Sequence, residues 1–379
     1  MLTQIINGKI LTPQGWLEGG SIIICDSKIL EIANSDLPRV GAAIVDVKGD
    51  YIIPGFVAMN IHGGGGKAFK EGTREAFDIA TDVHLKCGAT TIFPTIYTAK
   101  TEKIYNSAKV CEEILKEDNT PIKGIHVAGP YFNPNMVKSF PGAKNPDKEE
   151  YLKILAETEC IKRWDLSPEL PGACEMAKIL KASNIVAAIT HTQAEFEDVS
   201  KASEAGFSHV SQLYNAMPGF HKRGEYKYEG TVESVFLLDN MSVEVTADGK
   251  HLPGTILRLV YKLKGVDKMS LVTNALKYAG FDGEVEPDSD FIIEDGVCKL
   301  KDHSSLAGSI ATMDKTVKVA VNAGIPLIDS IRMATETPAK VMGCFDKVGS
   351  LEEGKDADIV LLNKDLDVTG VWTRGVRYV

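Results

Sequence analysis

The chain has few cysteines, and none of them lie in a paired spacing. Its 379 residues contain seven cysteines, an odd number, and no Cys-x-x-Cys segment. A disulfide framework normally uses an even number of cysteines at regular spacings. We therefore interpret the cysteines as reduced core residues. They are Cys25, Cys87, Cys111, Cys160, Cys174, Cys298 and Cys344.

Long apolar runs and an excess of positive charge are also missing. No apolar run approaches the roughly 18 residues that a membrane span needs, and the start of the chain lacks the charged and then apolar order of a signal peptide. With 42 Lys and Arg against 52 Asp and Glu, the formal net charge is −10, which repels nucleic acid and anionic membranes over most of the surface. We expect a cytoplasmic protein with no nucleic-acid or membrane partner, in which an anionic ligand must find a local pocket.

The common catalytic signatures are absent as well. The sequence has no HExxH, Walker phosphate loop, GxSxG or EF-hand segment, so function has to be sought in less local patterns. What is present is the ordinary mixture of a folded protein, with 44% hydrophobic and 25% charged residues, which can bury a substantial core. The length favours two domains or one large barrel with an appendage.

Both ends of the chain predict β-structure. The N-terminal segment alternates short apolar runs with turns, and Asn7-Gly8 is a dipeptide that favours a tight hairpin. The C-terminal segment contains strand-like runs at 358–362 and 371–376, which Gly and Asp turns separate. The two β ends bracket a region of different character.

Between the ends, strand-like runs alternate with helix-compatible segments, such as 74–86 and 338–343. Eight such runs are what a (β/α)8 barrel requires. The runs are 51–62, 90–98, 124–132, 163–169, 185–192, 209–215, 242–248 and 270–276. Barrels of this kind carry their active sites on the loops after the strands, so chemistry is expected where these runs end.

Six of these ends carry polar or glycine-rich clusters, which predicts one convergent site. The clusters are 60–66, 128–134, 190–193, 212–218, 247–251 and 273–276. His62, His191 and His251 fall at or just past strand ends, where an imidazole can act as acid, base or ligand. Polar residues at strand ends also serve as turn formers or barrel fillers. We interpret the remaining barrel histidines as packing or surface residues, namely His84, His126, His209 and His303.

Read in chain order, the strand ends resemble a known family. The segments PGFVAMNIHG, GIHVAGPYFNP, THTQA, QLYNAM, ADGKH, LVTNA and LAGSIATMD are similar to the N-acetylglucosamine-6-phosphate deacetylases of the amidohydrolase superfamily. The closing segments ETPAKVMG and VGSLEEGKDADIVLLNKDL are similar to that family's C-terminal signature. The resemblance covers essentially the whole chain. It implies a (β/α)8 TIM barrel over residues 53–348 that carries the sugar-phosphate site, a small discontinuous β-sandwich domain built from residues 1–52 and 349–379, and a homodimer.

The resemblance also implies a metal site that this sequence alters. In that family a divalent metal, commonly zinc, activates the water that attacks the acetamide, and an aspartate moves the proton. The metal-binding trio corresponds to Ala128, His191 and Gln212, of which only His191 is a usual zinc ligand. The aspartate corresponds to Asn274, whose amide neither takes up nor releases a proton as an acid or base near neutral pH. We expect no tightly bound metal, or zinc or another divalent ion if the site is functional.

The substrate positions are better retained. By the resemblance, the residues that hold the sugar phosphate are Ala143, Asn215, Ala216, Arg223, His251, Leu306, Ala307 and Gly308. The basic run His221-Lys222-Arg223 can hold a phosphate in this acidic chain. Two departures affect specificity: the family's Gly-Ala-His loop reads Gly142-Ala143-Lys144, and GEYKYEG follows Arg223 where Glu-Pro-Gly is usual. The expected partner is an amino-sugar phosphate such as N-acetylglucosamine 6-phosphate.

The favoured hypothesis is a protein that binds an amino-sugar 6-phosphate but is weak or inactive as a metal-dependent deacetylase. Loss of a general base alone lowers a rate by about 10²- to 10⁴-fold. One alternative is an active deacetylase, yielding glucosamine 6-phosphate and acetate, whose site is rebuilt from His62, His126, His191 and Lys144. Another is a non-catalytic dimer partner or regulator of an active paralogue.

Overall fold

The structure, a computed structural model, describes residues 2–137, 140–286 and 291–379. Met1, the first residue of the predicted sandwich segment, lies outside the described residues. So do some residues of the predicted barrel segment, namely Lys138, Ser139, Pro287, Asp288, Ser289 and Asp290.

The N-terminal strands belong to two sheets. They are β1 (Leu2–Ile6), β2 (Lys9–Thr12), β3 (Gly15–Glu18), β4 (Ser21–Cys25), β5 (Lys28–Ala33), β6 (Ala43–Asp46) and β7 (Tyr51–Pro54). Strand β1 pairs with β4 and β6, whereas β2 pairs with β3 and β7. The hairpin predicted at Asn7-Gly8 is therefore wrong. Asn7 does adopt the left-handed conformation of a turn, with φ 60°, but the turn carries the chain from one sheet to the other.

The middle of the chain forms the barrel. Its strands and small hairpins are β8 (Phe56–Ile61), β9 (Gly63–Gly64), β10 (Lys67–Ala68), β11 (Ala89–Tyr97), β12 (Ile125–Ala128), β13 (Ile161–Leu166), β14 (Val186–Ile189), β15 (Phe207–Val210), β16 (His221–Arg223), β17 (Tyr226–Tyr228), β18 (Ser242–Thr246) and β19 (Met269–Val272). An eight-stranded sheet runs in the order β8-β11-β12-β13-β14-β15-β18-β19. A parallel bridge between Ile61 and Ala275 joins its two edges. The predicted (β/α)8 barrel is confirmed.

The predicted run 51–62 is two strands rather than one. Strand β7 pairs with β2 in a terminal sheet, whereas β8 pairs with β11 in the barrel. Gly55 lies between them, and a Cβ at this position would lie 2.0 Å from Thr90 Oγ1. A larger residue at position 55 would collide with the Thr90 side chain, so glycine allows β7 and β8 to pass close to β11 where the chain changes sheets.

The C-terminal strands return to the first sheets. After β20 (Phe291–Glu294), β21 (Val297–Leu300) and β22 (Leu306–Ser309), which form a three-stranded sheet, come β23 (Ile359–Leu362), β24 (Val368–Thr373) and β25 (Val376–Arg377). The predicted run 371–376 is split by a turn, because Arg374 and Gly375 have φ values of 46° and 77°.

The terminal strands build a β-rich unit beside the barrel. One sheet has the order β5-β4-β1-β6 and the other β25-β24-β23-β7-β2-β3. They share a hydrophobic core to which Ile5, Ile22, Ile52, Ile359 and Trp372 contribute. The two chain ends thus fold together, as the resemblance implied, while the domain limits 1–52, 53–348 and 349–379 stay predictions.

Helices follow most of the barrel strands. They are α1 (Arg74–Lys86), α2 (Thr101–Ile114), α3 (Lys148–Glu157), α4 (Ala173–Ala182), α5 (Phe196–Ala205), α6 (Thr231–Phe236), α7 (Gly254–Lys264), α8 (Met313–Asn322), α9 (Leu327–Arg332) and α10 (Glu336–Val341). Helix α1 has its predicted bounds and begins where Thr73 accepts a hydrogen bond from the Ala76 amide. The helix predicted at 338–343 begins and ends slightly earlier. Within the described part of the chain, no helix is long and apolar enough to cross a bilayer.

On β13 the barrel wall is apolar on its outer side and charged on its inner side. On β13, Trp164 belongs to the main hydrophobic core and stacks on Tyr131 at 5.8 Å between ring centroids. Arg163 and Asp165 flank Trp164 and therefore face the other side of the strand. Both are fully buried, and they hydrogen bond to each other. The barrel thus encloses charged side chains below its mouth, the ring of carboxyl strand ends.

Candidate functional site

Three strand ends at the mouth turn sharply at a residue in the left-handed region. His191 follows β14, Gln212 follows β15 and Asn274 follows β19, with φ values of 44°, 47° and 50°. Such values cost residues other than glycine about 1–3 kcal/mol and persist only where the surrounding structure imposes them. The fold therefore holds these three positions in fixed and similar turns.

A chain of neutral side chains crosses the mouth. The amide oxygen of Asn274 accepts a hydrogen bond from Gln212 Nε2 at 3.2 Å and lies 2.8 Å from His62 Nε2. Because that oxygen can only accept, His62 donates through Nε2 and carries its proton there. Asn215 Nδ2 in turn donates to the amide oxygen of Gln212 at 2.8 Å. Amide and imidazole groups thus satisfy one another across the mouth without a carboxylate.

Both histidines at the mouth are neutral near pH 7. Burial lowers the pKa of His62 to about 4, against the smaller opposing effect of its hydrogen bond to Asn274. Burial likewise lowers the pKa of His191 to about 4. The Nδ1 atom of His191 lies 2.9 Å from the Thr190 hydroxyl oxygen. Neither imidazole carries a charge that could hold an anion at neutral pH.

An aromatic cluster surrounds His191. The Phe132 ring lies 4.5 Å from the His191 ring and 5.3 Å from the Phe140 ring, between centroids. Tyr97 packs against both phenylalanines, at 5.9 and 4.7 Å. Ala128, at the end of β12, is 5% exposed and belongs to the same cluster. Aromatic rings therefore border the position at which the resemblance expects a metal-binding glutamate.

This donor set does not fit a divalent metal. Ala128 offers no ligand atom, and both polar atoms of the Gln212 amide are used in hydrogen bonds within the chain described above. Zinc sites in proteins use three or four histidine, cysteine or carboxylate ligands. Across residues 2–137, 140–286 and 291–379, no group of three or more such side chains is placed to hold a metal ion. We therefore derive no chemical step through a metal at this mouth.

The basic run forms part of a hairpin beyond β15. Strands β16 and β17 pair so that His221 faces Tyr228, and the Arg223 guanidinium lies 3.7 Å from the Tyr228 ring centroid. The carboxylate of Glu195 lies 3.1 Å from the Arg223 guanidinium and 3.3 Å from His221 Nε2. A carboxylate thus already occupies the cationic end of this hairpin.

The other predicted substrate residues occupy separate loops. His251 lies after β18, where its Nδ1 is 2.7 Å from a carboxylate oxygen of Asp248. Ala143 packs in the aromatic cluster with Ala128. Ala216 accepts a hydrogen bond from the Thr192 amide at 3.1 Å. Leu306, Ala307 and Gly308 form strand β22, and the next residue donates its amide to the Asn274 carbonyl at 3.2 Å.

The structure thus connects some predicted site residues and leaves others apart. Hydrogen bonds join Gln212, Asn215 and Asn274, and the aromatic cluster joins His191, Ala128 and Ala143. Strand β22 borders Asn274 through the backbone. Arg223 and His251 contact neither group, and their described polar contacts are with Glu195 and Asp248. Their common role in phosphate binding stays a prediction.

Two of the residues considered for a rebuilt site are engaged elsewhere. His126 lies inside the barrel, 3.0 Å from the Thr95 hydroxyl and 2.9 Å from an Asp165 carboxylate oxygen. Lys144 pairs with Glu150 at 2.8 Å. Of the four residues considered for a rebuilt site, His62 and His191 are therefore the two that lie in the network and the aromatic cluster at the mouth.

The barrel encloses a charged network that was not predicted from the sequence. Glu244 accepts hydrogen bonds from Arg163 at 2.6 and 3.1 Å, from Asn60 at 2.6 Å and from Ser211 at 2.9 Å. His209 Nε2 lies 3.3 Å from the same carboxylate. Arg163 lowers the pKa of Asp165 and of Glu244 against the effect of burial. A charged residue within an apolar strand-like run, as in Arg-Trp-Asp at 163–165, is the signal that indicates such a network.

Comparisons with known proteins agree with the fold. The model of the Amidohydrolase family matches residues 51–377. The chain is 28% identical to N-acetylglucosamine-6-phosphate deacetylase of Haemophilus influenzae, with 99% of each chain covered. It is 30% identical to N-acetylgalactosamine-6-phosphate deacetylase of a Shewanella species, over 86% of this chain and 82% of the relative. The relatives therefore differ in the sugar that they act on.

Solved structures give the same result over the whole chain. N-acetylglucosamine-6-phosphate deacetylase from Pasteurella multocida superposes with a TM-score of 0.93 at 28% identity, covering 100% of both chains. A mutant of the Mycobacterium smegmatis enzyme in complex with N-acetyl-D-glucosamine-6-phosphate superposes with a TM-score of 0.90 at 26% identity, covering 100% of this chain and 98% of that one. Since the family model spans most of the chain and these relatives match it nearly end to end, the chain belongs to the amidohydrolase family and is a member of its N-acetylglucosamine-6-phosphate deacetylase family.

Proposed function

We propose that this protein binds an amino-sugar 6-phosphate at the barrel mouth and is weak or inactive as a metal-dependent deacetylase. The observation that carries the proposal is the chain of neutral side chains from His62 through Asn274 and Gln212 to Asn215. It occupies the positions that, by the resemblance, hold the metal ligand and the proton-transferring aspartate. Neither amide can supply the proton transfer or the firm metal ligation that amide hydrolysis by this family needs.

The retained chemistry suits binding. Amide groups and neutral imidazoles donate to and accept from sugar hydroxyls and an acetamide, which are themselves uncharged. The aromatic rings of Tyr97, Phe132 and Phe140 provide an apolar wall next to His191. Ligand sites commonly combine such a wall with a few convergent polar groups. In the solved Mycobacterium smegmatis relative the bound molecule is N-acetyl-D-glucosamine-6-phosphate, which supports this ligand class.

For the phosphate we propose Arg223, together with His221 of the same hairpin and His251 of the loop after β18. A guanidinium binds phosphate through paired, charge-assisted hydrogen bonds. Arg223 is 55% exposed along its side chain, so a phosphate can reach it. The phosphate has to compete with Glu195, which already pairs with Arg223 and His221. Binding therefore includes the displacement of one anion by another.

The deciding experiment is proton NMR of the purified protein with N-acetylglucosamine 6-phosphate and added zinc. We expect broadening of the ligand signals without sustained release of acetate. The variant Arg223→Gln should abolish the broadening. Arg39→Gln is a matched control, because Arg39 also forms an exposed pair with a glutamate, Glu31, but in the terminal sheets.

Two results would overturn the proposal. Release of acetate at about 1 s⁻¹ or faster, the range of ordinary enzymes, would mean an active deacetylase with a rebuilt site. Absence of broadening in the native protein would mean that the mouth has lost its ligand. A homodimer, a cytoplasmic location and a role as partner of an active paralogue remain predictions, which the molecular mass in solution and co-purification from the native cell would test.

A further inference from the structure

A group of lysines lies on one side of the mouth, away from Arg223. Lys70, Lys103 and Lys277, called the lysine cluster below, lie in the loops or first helical turn after β8, β11 and β19. These three strands are neighbours, since the barrel closes between β19 and β8. The carboxyl ends of adjacent parallel strands meet at one edge, so the three lysines share one side of the mouth. Such a grouping is unexpected on a chain with a net charge of −10.

Backbone and side-chain contacts tie the three segments together. Phe69, next to Lys70 in a 3-10 turn, donates its amide to the His62 carbonyl at 3.0 Å. The Ser107 hydroxyl of α2, the helix that carries Lys103, donates to the Phe69 carbonyl at 3.2 Å. Gly66 donates its amide to the Lys277 carbonyl at 2.7 Å. The lysine cluster is thus built on the same segments that position His62.

The charges of the lysine cluster are incompletely balanced. Lys277 pairs with Glu286, which also accepts a hydrogen bond from Tyr278. The carboxylate of Glu71, beside Lys70, accepts a hydrogen bond from the Ala68 amide at 2.8 Å. Among the described residues, neither Lys70 nor Lys103 is in an ion pair. Partial burial, together with the charges of Lys103 and Lys277, lowers the pKa of Lys70.

The cluster also reaches the ligand site electrostatically. The charge of Lys70 contributes to the low pKa of His62, whose Nε2 donates to Asn274. The chain His62–Asn274–Gln212 therefore runs from the lysine side of the mouth to the end of β15, the strand that leads to Arg223. A ligand held by its phosphate at Arg223 would extend along this chain towards the lysines.

We propose that the lysine cluster binds a second anionic group of the ligand. The preferred ligand is then an amino-sugar 6-phosphate that carries a carboxylate or another phosphate at the end of the sugar remote from C6. This inference rests on the proposed function, because it places the 6-phosphate at Arg223. It explains why an acidic protein gathers cations on two sides of a mouth whose centre is neutral.

Isothermal titration calorimetry with three sugar phosphates tests whether the lysine cluster binds a second anionic group. The reference is N-acetylglucosamine 6-phosphate. N-acetylmuramic acid 6-phosphate adds a carboxylate through an ether at C3, and N-acetylglucosamine 1,6-bisphosphate adds a phosphate at C1. We expect one of the two probes that carry a second anionic group to bind at least about tenfold more tightly than the reference, because one or two added charge-assisted contacts provide this gain. The probe that gains shows which anion is bound.

Two variants then locate the gain. Lys70→Gln with Lys103→Gln should remove the gain while the affinity for the reference stays within about twofold. Lys162→Gln with Lys268→Gln, which changes the net charge equally at the amino ends of β13 and β19, should keep the gain. Equal binding of all three probes, or a gain that survives in the Lys70/Lys103 variant, would overturn the inference but leave the proposed function standing. If the reference itself fails to bind, both are wrong.

Discussion

The interior of the barrel contains buried charged side chains, whereas the side chains that form the hydrogen-bonded network at its mouth are neutral. In the interior, Arg163, Asp165 and Glu244 are fully buried, and Arg163 donates hydrogen bonds to both carboxylates. A few residues further along the same barrel, the side chains of His62, Gln212 and Asn274 form a network without any ionised group. Both regions are built on one sheet or on the turns that follow its strands, but the interior side chains are fully buried, whereas His62 and Gln212 are only partly buried.

The contrast shows that this barrel can hold buried carboxylates when a cation and hydrogen bonds compensate them. Buried charges persist only with such compensation. The neutral mouth is therefore a property of its own side chains and does not follow from the fold. By the resemblance, the mouth is where an amidohydrolase deacetylase needs charge, which is why its neutrality bears on function.

The largest expected effect comes from breaking the interior network. Replacing Arg163 with methionine leaves two buried carboxylates without their cation, which should lower the free energy of unfolding by about 3–5 kcal/mol. Urea denaturation of the purified variant measures this. Arg223→Gln is the control, because it breaks an exposed pair with Glu195, worth about 0–1 kcal/mol. A loss below about 1 kcal/mol for Arg163→Met would show that His126 and His209 can carry the compensating charge instead.

A second test introduces charge at the mouth. Ala128→Glu places a carboxylate among Phe132, Phe140 and Tyr97 without a partner, so we expect a loss of about 2–4 kcal/mol in the free energy of unfolding. Ala128→Gln has nearly the same shape without the charge and should lose less. Adding Gln212→His to Ala128→Glu supplies a second new ligand beside His191.

Zinc then tests whether the residues at positions 128 and 212 decide if a metal can bind at the mouth. In the variant with both Ala128→Glu and Gln212→His, zinc at 100 times its dissociation constant should restore about 2.7 kcal/mol. The native protein should show no such stabilisation. Equal stabilisation of the native protein by zinc would mean that its present donors already form a metal site.

The parts of the fold that could be predicted are those in which a short segment of sequence determines its own conformation. The strand predicted at 90–98 is observed as Ala89–Tyr97 because a long apolar, β-branched run determines its own conformation. The Asn7-Gly8 turn was equally local, yet its hairpin was wrong, because pairing depends on which sheet the next strand joins. The run 51–62 looked continuous since glycine at position 55 gives no sign that the chain changes sheets there.

The candidate site was predictable as a set of strand-end positions but not as contacts between them. The polar strand ends identified His191, Gln212 and Asn274, because each follows an apolar run in the sequence. Arg163 and Glu244 lie far apart in the chain, and a single sequence does not show which buried residues face each other across a barrel. Glu195 was missed for the same reason, since its partners belong to a hairpin that only the tertiary fold brings near.

The next smaller effect is the pH dependence of stability, in which the mouth histidines and the interior carboxylates contribute at different pH values. The pKa values of His62 and His191 fall from the usual 6.5 to about 4 on folding. Between these values the unfolded chain binds more protons than the native state, so stability rises as the pH rises through this window. The carboxylates of Asp165 and Glu244 have lowered pKa values, and their contribution is lost only at more acidic pH, below about 4.

Variants isolate the contribution of the mouth. His84, His126 and His209 are also buried with lowered pKa values, so the native curve alone is not specific. Denaturation at pH 7 and pH 5 should show a smaller stability loss for His62→Gln with His191→Gln than for the native protein, by about 1–2 kcal/mol per histidine. His303→Gln, at an exposed position, should behave like the native protein. Identical losses in all three would mean that the mouth histidines are already protonated or water-exposed in the native state.

The smallest effect concerns Glu195, and it links the neutral mouth to the cationic hairpin beside it. Glu195 pairs with Arg223 and His221 through exposed contacts, so Glu195→Gln should change the free energy of unfolding by less than about 1 kcal/mol. The affinity for N-acetylglucosamine 6-phosphate should nevertheless rise about three- to tenfold, because phosphate no longer competes with a carboxylate for the same guanidinium. Glu31→Gln removes the matching partner of Arg39 and should leave the affinity unchanged. A fall in affinity on Glu195→Gln would mean that Glu195 holds Arg223 in its binding position, and that the pair orients the hairpin rather than blocking it.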